Sequence, residues 1–210
     1  MKSKIILFVA FALLFGCVGT DTNTPKDAED GTNGVNSDDV GSDDISNDNV
    51  NTDKVADGTS ELKLTSSAFQ HGGTIPKKHT CDDEDVNPQL SISGVPSNAK
   101  SLAIIMDDPD ANYPDAQDGA WVHWVVWNIP SETTEIPEGQ GENVGVQGMN
   151  SGESGYNGPC PPAKHTYRFF LYALDTTLDL PAGATKEDLK SAMNGYIIAQ
   201  TELDGEYETK

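Results

Sequence analysis

Residues 155–175 read GYNGPCPPAKHTYRFFLYALD, and the rest of the fold can be worked out from this stretch. Gly155 and Gly158 reach backbone angles closed to other residues, while Pro159, Pro161 and Pro162 fix φ and carry no N–H. Residues 158–162 therefore form a stiff, non-repetitive loop. From His165 the composition turns aromatic, apolar and long, which suits a strand. A period of two puts His165, Tyr167, Phe169 and Leu171 on one face, and Thr166, Arg168, Phe170 and Tyr172 on the other. A histidine and a tyrosine thus stand side by side where a rigid loop enters a sheet, the usual way a scaffold presents recognition groups.

Upstream, residues 61–69 alternate loosely as a first strand, with turns at 71–73 and 75–76. Residues 77–85, KKHTCDDED, read as a polar loop. LSIS at 90–93 alternates, and 101–106 is a short apolar run that suits a buried strand. That run stops at Asp107-Asp108-Pro109-Asp110. AWVHWVVWN at 120–128 is apolar on both faces and so belongs in the middle of a sheet. Residues 131–154 form a polar excursion with little pattern. Downstream, Thr185 caps a helix over 186–193, with Asp188 in the capping-box position and Gly195 ending it. Residues 196–203 read as a last strand, with helix continuation as the competing reading. Six or so strands and one credible helix make the chain mainly β, a sandwich by preference.

The N-terminal part lies outside this fold. Lys2 and Lys4 precede an apolar run at 5–15, which is the length of a secretory signal core and short of the roughly 20 residues needed to span a bilayer. LFGC at 14–17 resembles a lipobox and nominates Cys17 for lipid attachment; ordinary signal cleavage and an uncleaved anchor are the alternatives. Residues 18–60 hold eleven acids against Lys26 and Lys54 and no aromatic residue. Such a stretch cannot bury enough surface to offset its ordering entropy. It reads as a self-repelling tether that extends a domain, residues 61–210, from the outer face of a membrane.

Charge and cysteine usage narrow the function further. The chain has a formal net charge of −21. Residues 61–210 carry 23 acids and nine bases, so the domain alone is at −14. This excludes nucleic acid and electrostatic docking on anionic lipid as partners, since both need a basic face. With Cys17 assigned to lipid, Cys81 and Cys160 either pair, as an exported setting permits, or stay as two buried thiols. No Cys-x-x-Cys or His-Glu-x-x-His occurs, so neither a metal nor a cofactor is expected. Dimerisation stays open.

Three strand ends carry polar chemistry. Asp107–Asp110 closes one, His123 lies in the second on the face of Trp121, Val125 and Trp127, and His165 with Tyr167 opens the third. If these strands are neighbours, Asp108, His123, His165 and Tyr167 converge at one rim and form an anion site. A carboxylate beside an imidazole favours its charged form and fixes its tautomer. The phenol adds a directed donor, and the glycine-proline loop offers backbone N–H groups. Each residue also has a plainer reading: a core histidine, an ordinary Asp-Pro turn, a packed tyrosine.

HTCDDEDVNPQL, MDDPDAN, WVHWVVWNIP, GYNGPCPP followed by HTYRFFLYALD, and AMNGYIIAQTELDGEYE occur in this order across residues 61–208. Together they resemble the phosphatidylethanolamine-binding protein (PEBP) family, in its bacterial and archaeal Raf-kinase-inhibitor-like branch. The resemblance implies a Greek-key β-sandwich with one or two short helices. It also implies a small pocket for phosphate-like anions, including phospholipid headgroups. By motif it nominates Asp108, Asp110, Trp121, His123, Pro161, Pro162, His165 and Tyr167 as ligand-binding residues. Asn112 stands where the family's turn usually has proline, Thr166 where arginine is common, and Tyr196 where histidine is frequent. The missing arginine removes a cation from the neighbourhood of the site. The expectation is a non-enzymatic binding module whose affinity weakens as its histidines lose charge. The alternative is an interaction partner or inhibitor of a secreted or envelope protein, such as a protease, working through residues 131–154. A hydrolase using Asp108 and the histidines lacks any nucleophile-elbow or metal motif.

Overall fold

The computed structural model describes residues 61–111 and 119–209. The expectations for the signal segment, Cys17, the acidic tether and Asn112 fall outside these residues.

Two sheets and one helix make up the described chain, which is mainly β. Strand β1 (Lys63–Thr65), β3 (Leu90–Ser93) and β6 (Glu135–Ile136) form the smaller sheet in the order β1-β3-β6. The larger sheet contains β2 (Gly73–Thr74), β4 (Ser101–Asp108), β5 (Trp121–Pro130), β7 (Val146–Gln147), β8 (His165–Leu174) and β9 (Ile197–Tyr207), in the order β2-β9-β8-β4-β5-β7. Its pairings are antiparallel except for the short parallel pair of β2 with β9.

Strand β4 sits between β5 and β8, and all eight of its residues are buried. The cause is burial on both faces of the sheet, which is why 101–106 reads as a continuous apolar run. Leu102, Ile104 and Met106 join Leu64, Leu90, Ile92, Trp124, Phe169 and Leu171 in an apolar layer shared by the two sheets. Ala103 and Ile105 face the other way and pack with Val125, Trp127, Leu174 and the helix residues Leu189 and Met193. That helix, α1 (Lys186–Met193), starts at a reciprocal capping box: Asp188 N–H donates to Thr185 Oγ1, and Thr185 N–H donates to Asp188 Oδ2. Leu189 and Met193, four apart, are its buried stripe.

The strand bounds differ from the sequence reading in informative ways. The first strand is only Lys63–Thr65. The last extends through Tyr207, because β8 offers it a partner from Leu174 back to His165, in unbroken register from Ala173 on. Asp107 and Asp108 are strand residues rather than a turn, and each has a register partner on β5. The polar excursion contains two short strands, β6 and β7, which extend the two sheets.

The placement of His123 needs a correction. Asp107 pairs with Val122 and Met106 pairs with Trp124, so His123 is the extra residue of a β-bulge. The bulge shifts the alternation by one. Trp121 and His123 do share a face, but Val125 and Trp127 lie on the opposite face, against α1. Without the bulge, strict period two would tie His123 to that helix-covered layer.

Candidate functional site

A hollow of about 200 Å³ opens at the ends of β4, β5 and β8. It lies at the edge of the apolar layer shared by the two sheets. Asp108 supplies one wall, Trp121 and His123 the second, His165 and Tyr167 the third, and Pro161 and Pro162 the lip. Seven of the eight residues nominated from sequence therefore line one space. Asp110 does not. Its Oδ2 accepts the Thr166 N–H at 2.8 Å, which ties the turn after β4 to the start of β8.

Asp108 organises the floor. Its Oδ1 accepts the N–H groups of Asp110 (2.8 Å) and Ala111 (3.0 Å), and its Oδ2 accepts Nδ1–H of His165 at 2.7 Å. The Tyr167 hydroxyl also hydrogen-bonds Asp108. Burial, and then the negative charge and hydrogen bond of Asp108, push the Tyr167 phenol well above its usual range, so it stays a neutral donor.

His123 has a different environment. Its Nδ1 lies 2.7 Å from the Asn157 carbonyl oxygen. A carbonyl only accepts, so Nδ1 carries the proton and Nε2 of the neutral ring is a bare acceptor. Burial lowers the His123 pKa from its usual value, against the opposing pull of the Asn157 carbonyl and the nearby carboxylates. The ring meets Tyr167 edge-on, with centroids 5.1 Å apart at 77°. The expectation that a carboxylate would hold this imidazole charged is thus corrected: Asp108 is committed to His165, and desolvation holds His123 neutral.

The lip is fixed from behind. Cys81 and Cys160 form a disulfide across a Cα separation of 5.4 Å, and Cys160 lines the hollow. Cys81 N–H donates to the Pro159 carbonyl at 3.1 Å, and the Tyr156 hydroxyl donates to the His79 carbonyl at 2.8 Å. Gly158 N–H donates to Asp85 Oδ1 at 2.7 Å. That amide is spent on the scaffold rather than offered to a ligand, which corrects the expectation of open loop N–H groups there. A Cβ at Gly158 would run into Asp85 Oδ1 and the His79 carbonyl, so this glycine is required for close approach.

Sequence reasoning missed Ala111, Asn157 and Cys160 as lining residues. Asn157 immediately precedes the stiff loop, so its carbonyl could have been suspected of facing the same rim. Nothing in the sequence pairs it with His123. Among the described residues that line the hollow there is no lysine or arginine. Among the described residues no cluster of three or more His, Cys, Asp or Glu side chains is placed to hold a metal ion.

Residues 65–208 match the family described as phosphatidylethanolamine-binding protein. The chain is 48% identical over 149 residues to a UPF0098 protein of Chlamydia muridarum, covering 70% of this chain and 99% of that one. It is 50% identical over 164 residues to a UPF0098 protein of Pyrococcus abyssi, covering 73% and 89%. Among solved structures, a phosphatidylethanolamine-binding protein homologue from Chlamydia trachomatis superposes with a TM-score of 0.68 at 47% identity, over 71% of this chain and 99% of that one. Escherichia coli YbcL, a member of the mammalian PEBP family, gives a TM-score of 0.65 at 31% identity, over 72% and 100%. The chain belongs to the phosphatidylethanolamine-binding protein family.

Proposed function

We infer that the hollow binds a single phosphate-like oxyanion, either free or as the headgroup of a phosphorylated lipid, and that the domain is a binding module rather than an enzyme. One observation carries this reading: both imidazoles have Nδ1 tied to the protein, His123 to a carbonyl and His165 to a carboxylate. The Nε2 edge of each ring is left for a ligand. A phosphate that keeps one proton donates its P–OH to the bare Nε2 of His123, while another of its oxygens faces the Nε2 edge of His165. The hydrophobic rim of Trp121, Pro161 and Pro162 strengthens these bonds by excluding water. Cys160 is held in the disulfide, so it offers the hollow no thiol nucleophile. Lipid attachment at Cys17 and the acidic tether would present this domain on the extracytoplasmic face of a membrane.

The test is a phosphate titration of the domain followed by calorimetry, with His123→Ala and His165→Ala variants alongside. Weakened binding in both is expected. Undiminished affinity in both overturns the reading.

A further inference from the structure

Asp108 gathers four donors beneath the hollow: the N–H groups of Asp110 and Ala111 on Oδ1, Nδ1–H of His165 on Oδ2, and the Tyr167 hydroxyl. An ionised carboxylate has about four lone-pair sites, so this one has none left for a ligand. The same bonds commit the hydroxyl proton of Tyr167 and the Nδ1 proton of His165 to the protein itself. The Nδ1 proton of His123 goes to the Asn157 carbonyl. These donors are therefore turned away from any occupant.

His123 leaves an acceptor in their place. It lines the hollow and is only 4% exposed, and with Nδ1 committed its remaining polar atom is the bare Nε2. Burial holds the ring neutral against the opposing pull of the Asn157 carbonyl, Asp108, Asp107 and Asp85. A buried lone pair that meets no donor carries the full cost of its desolvation, so an occupant gains most by bringing a proton. Charge acts in the same direction. Among the described residues that line the hollow there is no lysine or arginine, and residues 61–210 stand at −14. A second negative charge placed beside Asp108 would have no lining cation to offset it.

We propose that the hollow takes a phosphate monoester in its singly protonated form and turns away phosphate diesters. This deepens the oxyanion reading above and rests on it. A monoester keeps a P–OH up to about pH 6 and partly beyond, and that hydroxyl donates to Nε2 of His123. A diester has carbon where this proton would be, so it sets an oxygen lone pair against the nitrogen lone pair. A site built around one hydroxyl rejects the analogue that lacks it far more strongly than a site built on shape rejects an extra methyl group. The monoester is either free or the headgroup of a lipid such as phosphatidic acid.

Methyl phosphate and dimethyl phosphate test this by calorimetry at pH 6, where about half of the methyl phosphate is the singly protonated monoanion. Dimethyl phosphate carries the same single charge and no proton. It is expected to bind at least about tenfold more weakly. In His123→Phe, which keeps an aromatic ring beside Tyr167 but has no acceptor, the two affinities should come within about twofold. A urea midpoint checks the fold of the variant, and the comparison in wild type stands without it. Equal affinities in wild type overturn the proposal and leave the oxyanion reading standing, whereas binding of neither ester overturns both. A ratio unchanged in folded His123→Phe also overturns the proposal. Vesicles of phosphatidylcholine containing phosphatidic acid, a monoester, or phosphatidylglycerol, a diester, separate the two sources. Pelleting above that with phosphatidylcholine alone, seen with phosphatidic acid only, supports the proposal with a lipid ligand. Pelleting with neither, while methyl phosphate binds, supports it with a free one. Equal pelleting with both overturns it.

Discussion

His165 Nδ1–H donates to Asp108 Oδ2 at 2.7 Å, so the carboxylate that orients this ring also closes the turn after its own strand through Oδ1. An amide in its place keeps the turn but presents an N–H or a weaker acceptor to His165. Asp108→Asn is expected to cost about 1.5–3 kcal/mol of stability, the range for a hydrogen bond to a charged group. Urea unfolding measures the first effect. A phosphate titration should show roughly tenfold weaker binding, corresponding to about 1.4 kcal/mol. Unchanged values in both would show that the Asp108–His165 pair is incidental.

A neutral His123 with a bare Nε2 favours a ligand that brings its own proton. A phosphate ester keeps that proton up to about pH 6 and partly beyond, whereas sulfate has none at neutral pH. Phosphate should therefore outcompete sulfate at pH 7. The gap should narrow as the pH falls and His123 itself takes up a proton. Competition titrations at pH 7 and pH 5 decide this, and equal affinities at pH 7 would contradict it.

The same histidine makes stability depend on pH. Its folded pKa lies below its usual 6.5, so on acidification the unfolded chain binds the proton first. This contribution is therefore full above about pH 6.5 and is lost as the pH falls towards the lower, folded-state value. His123→Asn keeps an N–H for the Asn157 carbonyl but cannot titrate. Urea midpoints at pH 7.5 and pH 5 should fall further in wild type than in the variant, and identical slopes would refute the assignment.

The disulfide joins residues separated by 79 positions. In the chain-entropy model a loop of that length contributes about 4–5 kcal/mol. Reduction by a dithiol, or Cys81→Ser with Cys160→Ser, should lower the melting temperature. It should also weaken phosphate binding, because Cys160 is part of the wall. Reduced protein with unchanged affinity would show that hydrogen bonds alone hold the lip.

Gly158→Ala tests those hydrogen bonds directly. The added methyl group meets Asp85 Oδ1 and the His79 carbonyl, neither of which is a pliable side-chain end in this setting. The expected cost is about 1–3 kcal/mol, as for overpacking elsewhere, with reduced phosphate affinity. A neutral substitution in thermal melts would mean that the loop relocates freely.

The helix 186–193 was legible from the sequence because its signals are local: a capping box and a four-residue apolar spacing. The face of His165, Tyr167, Phe169 and Leu171 was legible because β8 runs without a bulge before Ala173. The face of His123 was not, since a bulge depends on how β5 meets β4 and leaves no mark in composition. The partners of the two histidines were also hidden. Which ring receives Asp108 and which receives the Asn157 carbonyl is decided by contacts across 57 and 34 residues.

Asp107 and Asp108 are neighbours whose partners lie on opposite sides of a sheet. Sliding β4 by one position would exchange them, aiming each carboxylate at the other's surroundings and leaving buried charge without its cation or imidazole. Consecutive acids at the end of an otherwise apolar strand therefore proofread the assembly of the sheet. Of the ways in which SLAIIM could zip against its neighbours, only one satisfies both carboxylates.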